Sequence, residues 1–482
     1  MRELVIVQLN DLHGYMEPHP EWFWSPSGFT YREAGGVARI QTMLNTLRAI
    51  HKNLLFCDNG DTFHGTRAVV ATQGACLVPI LNRLGLSAMT GHWDFAYGPG
   101  ELQQRVSELT YPFLACNVYR CAEPEDPGTE LAFPPFRVLT VGDVSVGIIG
   151  IACNIVDKTM PPHFSEGIRF TDGREELPRY IQQLRTEHRV DLVLLLSHLG
   201  LPQDLELLVH TPGVDVCLSS HTHNRLTAPA RVDDTLVIQS GCHGSFLGKL
   251  HLRLDDFGKV SLVEHALLEV SSSIPSDPEV HALVEAALQP FRTELNEVAG
   301  HTPIALNRAT MLESTADNLL LDAMLHATGA DLAFANGWRY GAPIPTGPVA
   351  VNDIYNLAPM NPEIMLVDLT GDELWRMIEE NLERTFSREP FSQMGGYVKR
   401  CGGMKTFFKV ENPKGQRVQD ISVGGSRLDR SRTYQAAFIT VQAVPQGFGA
   451  NRRHTGKTLL EATKALLQAP VSPALRDSFV EV

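Results

Sequence analysis

The sequence predicts an α/β protein of two domains, and three observations carry that reading. Short apolar runs alternate with helical patterns from residue 1 to about 270, as in layered α/β domains. A polar stretch with two prolines, Ser271 to Pro278, then interrupts the pattern, and a different texture follows. The length, 482 residues, also exceeds what one hydrophobic core usually organises.

The strand candidates of the first half are Leu4–Leu9, Leu54–Cys57, Phe113–Val118, Val144–Ile151, Leu192–Leu196, Val214–Leu218 and Leu236–Gln239. Each is a short apolar run bounded by polar or turn residues. Val37–His51, Cys76–Leu84, Glu101–Leu109 and Leu177–His188 have helical spacing. Gly248–Val270 alternates apolar and polar residues and predicts a hairpin turning near Asp255 to Gly258. These elements place a first domain at 1–275, a linking helical stretch at 276–299 and a second domain at 300–482. In the second domain, helix signals at Ser314–Thr328 and Gly371–Phe386 accompany strand signals at Asp331–Ala335, Glu363–Asp368 and Tyr434–Val441. Ser392 to Met404, rich in glycine and polar residues, reads as a long loop.

Composition narrows the function. Apolar residues are 43% and charged residues 20%, ordinary for a globular chain, and the net charge of −14 argues against a nucleic-acid polymer as partner. A small anionic substrate stays compatible, because bound cations dominate a local field. The eight cysteines form no C-x-x-C pair, and several sit in apolar runs, which fits buried, reduced thiols. No apolar run approaches the roughly 20 residues that span a bilayer, and no export signal precedes Asp11, so the expectation is a cytoplasmic protein without a membrane partner.

The chemistry concentrates where the apolar runs end. Asp11 and His13, two residues apart on extended chain, point the same way after Leu4–Leu9. Asp61 follows Leu54–Cys57, His92 follows Leu86–Met89, His198 follows Asp191–Leu196, and His221 and His223 follow Val214–Leu218. Ligands of open α/β sheets gather at such carboxyl ends. Five imidazoles with two carboxylates suit manganese, iron, zinc or cobalt better than calcium or magnesium. Seven ligands exceed the needs of one ion, so the simplest expectation is two divalent cations bridged by a carboxylate, able to generate hydroxide near neutral pH.

This order of motifs, D-x-H, G-D, a G-N-H-E counterpart, S-H-x-G and G-H-T-H, resembles the calcineurin-like metallophosphoesterases, and the two-domain length resembles their 5′-nucleotidase branch. Gly35 to Arg39 is similar to that branch's G-G-x-A-R segment, and Gln239 to Gly248 to its Q-x-G…G-x-x-L-G segment. The resemblance implies a four-layer α/β/β/α first domain and a smaller α/β second domain that binds substrate. It implies one ion on Asp11, His13 and His223, a second on His198, His221 and the Asn counterpart, and Asp61 as the bridge. Manganese is the foremost metal. In the second domain, Glu313 to Leu319 and Leu369 to Leu374 look like the branch's E-x-x-x-x-N-L and L-T-G-x-x-L segments, and Asn336-Gly-Trp-Arg339 stands where the branch has N-G-G-G-I-R.

The sequence departs from the branch at Gly91-His92-Trp93-Asp94-Phe95-Ala96. His92 replaces the ligand Asn, and Trp93 and Ala96 replace the His and Asp that serve the leaving group. Losing a general acid typically costs about 10²–10⁴-fold in rate. Three readings stay open: His92 serves as ligand and catalytic group, another group such as Asp94 or His243 stands in, or the leaving group needs little protonation. G-H-W-[DE]-F and the segment Gly395 to Met404 resemble the thiosulfohydrolases of the bacterial Sox pathway, which use two manganese ions and release sulfate from a cysteine-bound S-sulfonate on a carrier protein. The expected function is a metal-dependent hydrolase of a phosphomonoester such as a nucleotide. Alternatives are S-sulfonate hydrolysis and a non-catalytic metal- or ligand-binding relative. Asn336, Arg339 and Arg400 are the expected substrate-binding residues, at a site expected between the domains.

Overall fold

The computed structural model describes residues 2–122, 128–255 and 258–482. They form two compact units. The first comprises Met1–His19 and Glu33–Pro290, and the second Pro20–Arg32 and Phe291–Val482. The helical stretch expected as a linker is therefore divided. Its helix, Pro278–Leu288, belongs to the first unit, and the chain passes into the second after Pro290.

The first unit is built on two sheets. One has the strand order Val260–Glu269, Phe246–Leu254, Arg2–Leu9, Leu54–Asp58, Ala88–Met89. The other has the order Ala230–Val232, Thr235–Ile238, Val216–Leu218, Leu192–Ser197, Val144–Ile151, Phe136–Val141. Inside each sheet the central pairs are parallel, such as Arg2–Leu9 with Leu54–Asp58 and Leu192–Ser197 with Val144–Ile151. Parallel strands are covered on both faces, which is why they read as unbroken apolar runs. Alternate residues (Leu4, Ile6, Leu55, Val146, Ile148, Leu194, Leu196) join one core shared by both sheets. The intervening Val5, Val7, Val193 and Leu195 are buried as well, on the opposite faces. On one of those faces Leu184, from the helix Glu176–Thr186, packs so closely over Gly147 that a Cβ there would lie 2.7 Å from it. This is the four-layer α/β/β/α order.

The expected strand Phe113–Val118 is mostly irregular, with only Val118–Arg120 in a strand. The run crosses between the sheets: Leu114 N–H donates to Met89 in one, and Cys116 N–H to Gly150 in the other. The hairpin Gly248–Val270 is present as Phe246–Leu254 paired with Val260–Glu269, while part of its expected turn, residues 256–257, lies outside the described residues.

The second unit is built on a five-stranded sheet in the order Tyr397–Gly402, Leu332–Gly337, Thr433–Phe438, Glu363–Thr370, Ala450–Thr458, beside a smaller sheet in the order Ser426–Arg427, Val418–Val423, Met404–Phe408, Phe479–Glu481. The strands of the larger sheet alternate faces. Ala333, Ala335 and Ala437 pack with the helix Thr315–Thr328, while Leu332, Phe334, Ala436 and Phe438 pack with the helix Gly371–Phe386. The second helix begins with a reciprocal cap. Thr370 Oγ1 accepts from Glu373 N–H at 3.2 Å, and Glu373 accepts from Thr370 N–H at 2.8 Å. Within the segment expected as a loop, Tyr397–Gly402 is an edge strand paired with Leu332–Gly337. Its buried positions include Lys399 and Arg400, so charge masks the strand pattern in the sequence. An aromatic hairpin, Pro18–Ser25 with Gly28–Gly35, also had no expected counterpart, and its residues 20–32 group with the second unit through contacts such as Asn307 Nδ2 to Tyr31 Oη at 2.8 Å. Among the described residues no helix is long and apolar enough to cross a membrane.

Candidate metal centre

All seven expected ligands lie in the first unit, each just beyond a strand's carboxyl end. They fall into two groups whose ligand atoms lie within 4.8 Å of one another. One is Asp61, His92, His198 and His221; the other is Asp11, His13, Asp61 and His223. Asp61 is common to both. Its Oδ2 is 3.5 Å from His13 Nε2 and 3.2 Å from His198 Nε2, and its Oδ1 is 3.5 Å from His92 Nδ1. Asp11 Oδ1 lies 3.2 Å from His223 Nε2 and 3.7 Å from His198 Nε2.

The backbone is bent to make this convergence. Asp11, His13, Asp61, His221 and His223 all have positive φ, between 48° and 69°. That left-handed region costs a non-glycine residue about 1–3 kcal/mol and clusters at functional sites. The loops brace one another: Asp11 N–H donates to Gly60, and His13 N–H to Asp61. Gly60 lets two of the loops touch, since a Cβ there would stand 2.5 Å from Gly91 Cα.

A buried polar layer holds the ligands from below. Asn59 Nδ2 donates to the Ser197 and Leu218 carbonyls at 3.1 and 2.5 Å, joining two strand ends, while Gln8 Nε2 donates to Asn59 Oδ1 at 3.1 Å. His198 Nδ1 donates to the Asn59 carbonyl at 2.6 Å, with Ser220 Oγ at 2.9 Å, which leaves Nε2 facing the cluster. His13 Nδ1 is likewise engaged, 3.2 Å from the His64 carbonyl. These supporting residues leave no spacing signature, although Asn59 adjoins the Gly60-Asp61 motif.

The electrostatics suit cations. His198 Nε2 and both ring nitrogens of His92 are buried without a well-formed hydrogen bond, and His13 Nε2 lies 3.2 Å from His223 Nε2. Ring nitrogens converging on a shared carboxylate fit a divalent ion, which would take the place of any proton they hold, so the residues present match the expected group. Burial alone would raise the Asp61 carboxyl, but His198, His92 and His13 hold it well below the usual range. Burial drives His13 down to about 3, against the pull of Asp61. Burial also disfavours charge on His92, but Cys153 and Asp61 lift it to about 10. Cys153 is a neighbour that the sequence did not single out.

The Trp93 indole stacks on His64 with centroids 4.7 Å apart and planes at 11°. Asp94 is buried and accepts backbone N–H bonds on both carboxylate oxygens. His243 stands with its ring 6.0 Å from that of His13.

The expected substrate residues all belong to the second unit. The Asn336 amide is held by Gln442 and by Thr440 Oγ1, the latter at 2.6 Å. Arg339 Nη2 donates to Gly396 O at 3.1 Å, and its guanidinium sits 5.2 Å from the Tyr397 ring centroid. Arg400 is 1% exposed. Its Nε donates to Asp317 at 2.8 Å, and its Nη1 and Nη2 donate to the Met311 and Thr310 carbonyls. A fork engaged on all three nitrogens locks the sheet edge to the segment before the helix Thr315–Thr328.

Comparison with known proteins agrees with this geometry. Residues 4–225 match the calcineurin-like phosphoesterase family, and residues 295–443 match the 5′-nucleotidase C-terminal domain. The chain belongs to the calcineurin-like metallophosphoesterases, in their two-domain 5′-nucleotidase branch. It is a metal-dependent ester hydrolase of that superfamily. It is 26% identical to a snake venom 5′-nucleotidase of Naja atra, over 87% of this chain and 84% of the relative. It is 24% identical to the trifunctional nucleotide phosphoesterase YfkN of Bacillus subtilis over 89% of this chain, but spans only 30% of that protein's length. Among solved structures, a 5′-nucleotidase precursor of Thermus thermophilus superposes with a TM-score of 0.85 at 26% identity, covering 100% of this chain and 99% of that one. The sulfate thiohydrolase SoxB of Thermus thermophilus shares the fold, with a TM-score of 0.87 at 24% identity over 99% and 95% of the two chains.

Proposed function

We propose that this metallophosphoesterase hydrolyses a phosphomonoester, a nucleotide-like one, with two divalent cations held across Asp61. The observation that carries the reading is the sharing of Asp61 by two complete four-residue ligand groups. Asp11, His13 and His223 would hold one cation and His92, His198 and His221 the other, with manganese the foremost candidate for this mixture of nitrogen and oxygen donors. Two such cations lower the pKa of water and neutralise charge on the oxyanion under attack. The protein's own part is orientation. Asn59 and Ser220 fix His198, and the His64 carbonyl fixes His13, so neither ring must reorganise as charge develops. The nucleotidase relatives support the choice of a nucleotide. Asn336 and Arg339 are the residues proposed to contact the substrate, Arg339 through its planar fork.

One observation favours a second reading, the hydrolysis of a cysteine-bound S-sulfonate. The Trp93 indole is stacked on His64, and the Asp94 carboxylate is engaged with backbone, so neither serves as a proton donor. A sulfur leaving group needs little protonation.

The test compares AMP, an aryl phosphate and a cysteine S-sulfonate peptide with manganese-loaded protein, beside Asp61→Ala. Turnover of AMP and the aryl ester, lost in the variant, is the expected result. Turnover of the aryl ester and the S-sulfonate without AMP would transfer the assignment to the sulfur chemistry. No turnover of any ester by protein carrying its metals would overturn both.

A further inference from the structure

Asp94 is an acidic residue beside the metal centre that belongs to neither ligand group. It is 1% exposed, and its carboxylate is saturated by main chain. Oδ2 accepts the N–H of Asp61 at 2.9 Å and that of His92 at 3.1 Å. Oδ1 accepts the N–H of Thr62 and of Phe63, each at 2.9 Å. One side chain thus fastens the loop that carries the shared carboxylate to the loop that carries His92. The neighbouring residue completes the clasp, since Trp93 N–H donates to Asp61 Oδ1 at 2.6 Å. Space is set aside for it: a Cβ on Gly91 would lie 2.5 Å from Asp94 Oδ2.

We propose that Asp94 is a positioning residue that holds the loop of Asp61 and the loop of His92 in register, and so builds the second cation site. The proposal rests on the dinuclear reading above. The selectivity follows from the ligand sets. His92 belongs only to the group with His198 and His221, whereas Asp11, His13 and His223 are carried by other loops. Releasing the clasp therefore weakens the second site before the first. Charge-assisted bonds from main chain to carboxylate are about twice as strong as neutral ones, and four converge here. An amide cannot replace the carboxylate. However it rotates, its NH₂ faces two N–H donors, either those of Asp61 and His92 or those of Thr62 and Phe63.

The experiment measures manganese bound per chain and the electron paramagnetic resonance spectrum of wild type, Asp94→Asn, Gly91→Ala and Asp277→Asn, each checked for folding by circular dichroism. Gly91→Ala pushes on the carboxylate without changing any charge. Asp277 caps the helix Pro278–Leu288 by accepting from Glu279 and Val280 N–H, so its variant reports the same Asp-to-Asn change at main-chain donors of the same unit, away from the metal centre. Wild type and Asp277→Asn are expected to bind two ions with an exchange-coupled spectrum. Asp94→Asn and Gly91→Ala are expected to keep one ion with an isolated-ion spectrum, the second binding about 10–100-fold more weakly. Two tightly bound, coupled ions in a folded Asp94→Asn or Gly91→Ala would overturn the proposal. So would loss of the fold in both, because the residue's task would then be the core and not the register of the site. Fewer than two ions in wild type would instead refute the dinuclear reading itself.

Discussion

His13 and His92 stand in one cluster but begin from opposite protonation states. His13, pushed down to about 3 by burial, is neutral at pH 7 and ready to ligate. His92, lifted to about 10 by Cys153 and Asp61 despite its burial, carries a proton that a cation must displace. Manganese binding at pH 7 is therefore expected to release protons. Calorimetric titration in two buffers of different ionisation enthalpy measures the number, and none released would contradict the assignment of His92. Ser220→Ala removes one of the two groups on His198 Nδ1 and leaves the Asn59 carbonyl. It is expected to weaken metal binding about 10-fold, the low end for such supporting residues. At this scale the sequence was legible where a member of the cluster followed an apolar run, as with Asp61 and His198. It was silent on Asn59, which reaches the Ser197 and Leu218 carbonyls far along the chain, and it offered Asp94 only as a stand-in acid, not as an acceptor of main-chain N–H groups. It gave no sign that Arg400 is buried and paired with Asp317, because a buried and a surface arginine look alike in a sequence.

Helices and strands carry the next set of expectations. The helix Gly371–Phe386 packs its apolar face on the second sheet and starts with the Thr370–Glu373 cap. Thr370→Ala is expected to cost about 1 kcal/mol, read by urea unfolding, with no effect on metal content. Asp204, in the first turn of the helix Leu201–His210, is buried against Ser197 Oγ at 2.5 Å, and burial raises its carboxyl to about 7 from the ordinary 3.8. The folded state thus holds this proton more tightly than the unfolded chain does. The stability it contributes is present in full below pH 3.8 and is lost as pH rises through about 7. Asp204→Asn is expected to remove this component, gaining at least about 1 kcal/mol relative to wild type between the two limits. An unchanged pH profile would contradict it. Elements with pure patterns were readable: Val144–Ile151 and Gly371–Phe386 have the bounds that the sequence suggested. Tyr397–Gly402 was not, because charged side chains fill its buried positions, nor was the hairpin Pro18–Ser25 with Gly28–Gly35, whose aromatic residues lack strict alternation.

At the level of the whole molecule, every candidate ligand is in the unit formed by Met1–His19 and Glu33–Pro290. Ligands that bind only the folded form stabilise it by mass action, by about 2.7 kcal/mol at a hundred times the dissociation constant. Chelation is thus expected to reduce hydrogen-exchange protection in Arg2–Leu9, Leu54–Asp58 and Leu192–Ser197, and to leave Leu332–Gly337 and Thr433–Phe438 of the other unit little changed. Equal loss in both units would contradict that placement. The central claim is that hydrolysis needs both cation sites across Asp61. The most direct measurement adds manganese stepwise to metal-free protein at concentrations well above the dissociation constants and follows aryl phosphate turnover at each step. The account predicts little turnover up to one equivalent, a rise to full rate at the second, and no rise in Asp61→Ala. Full turnover at one equivalent, or none at two, would contradict it.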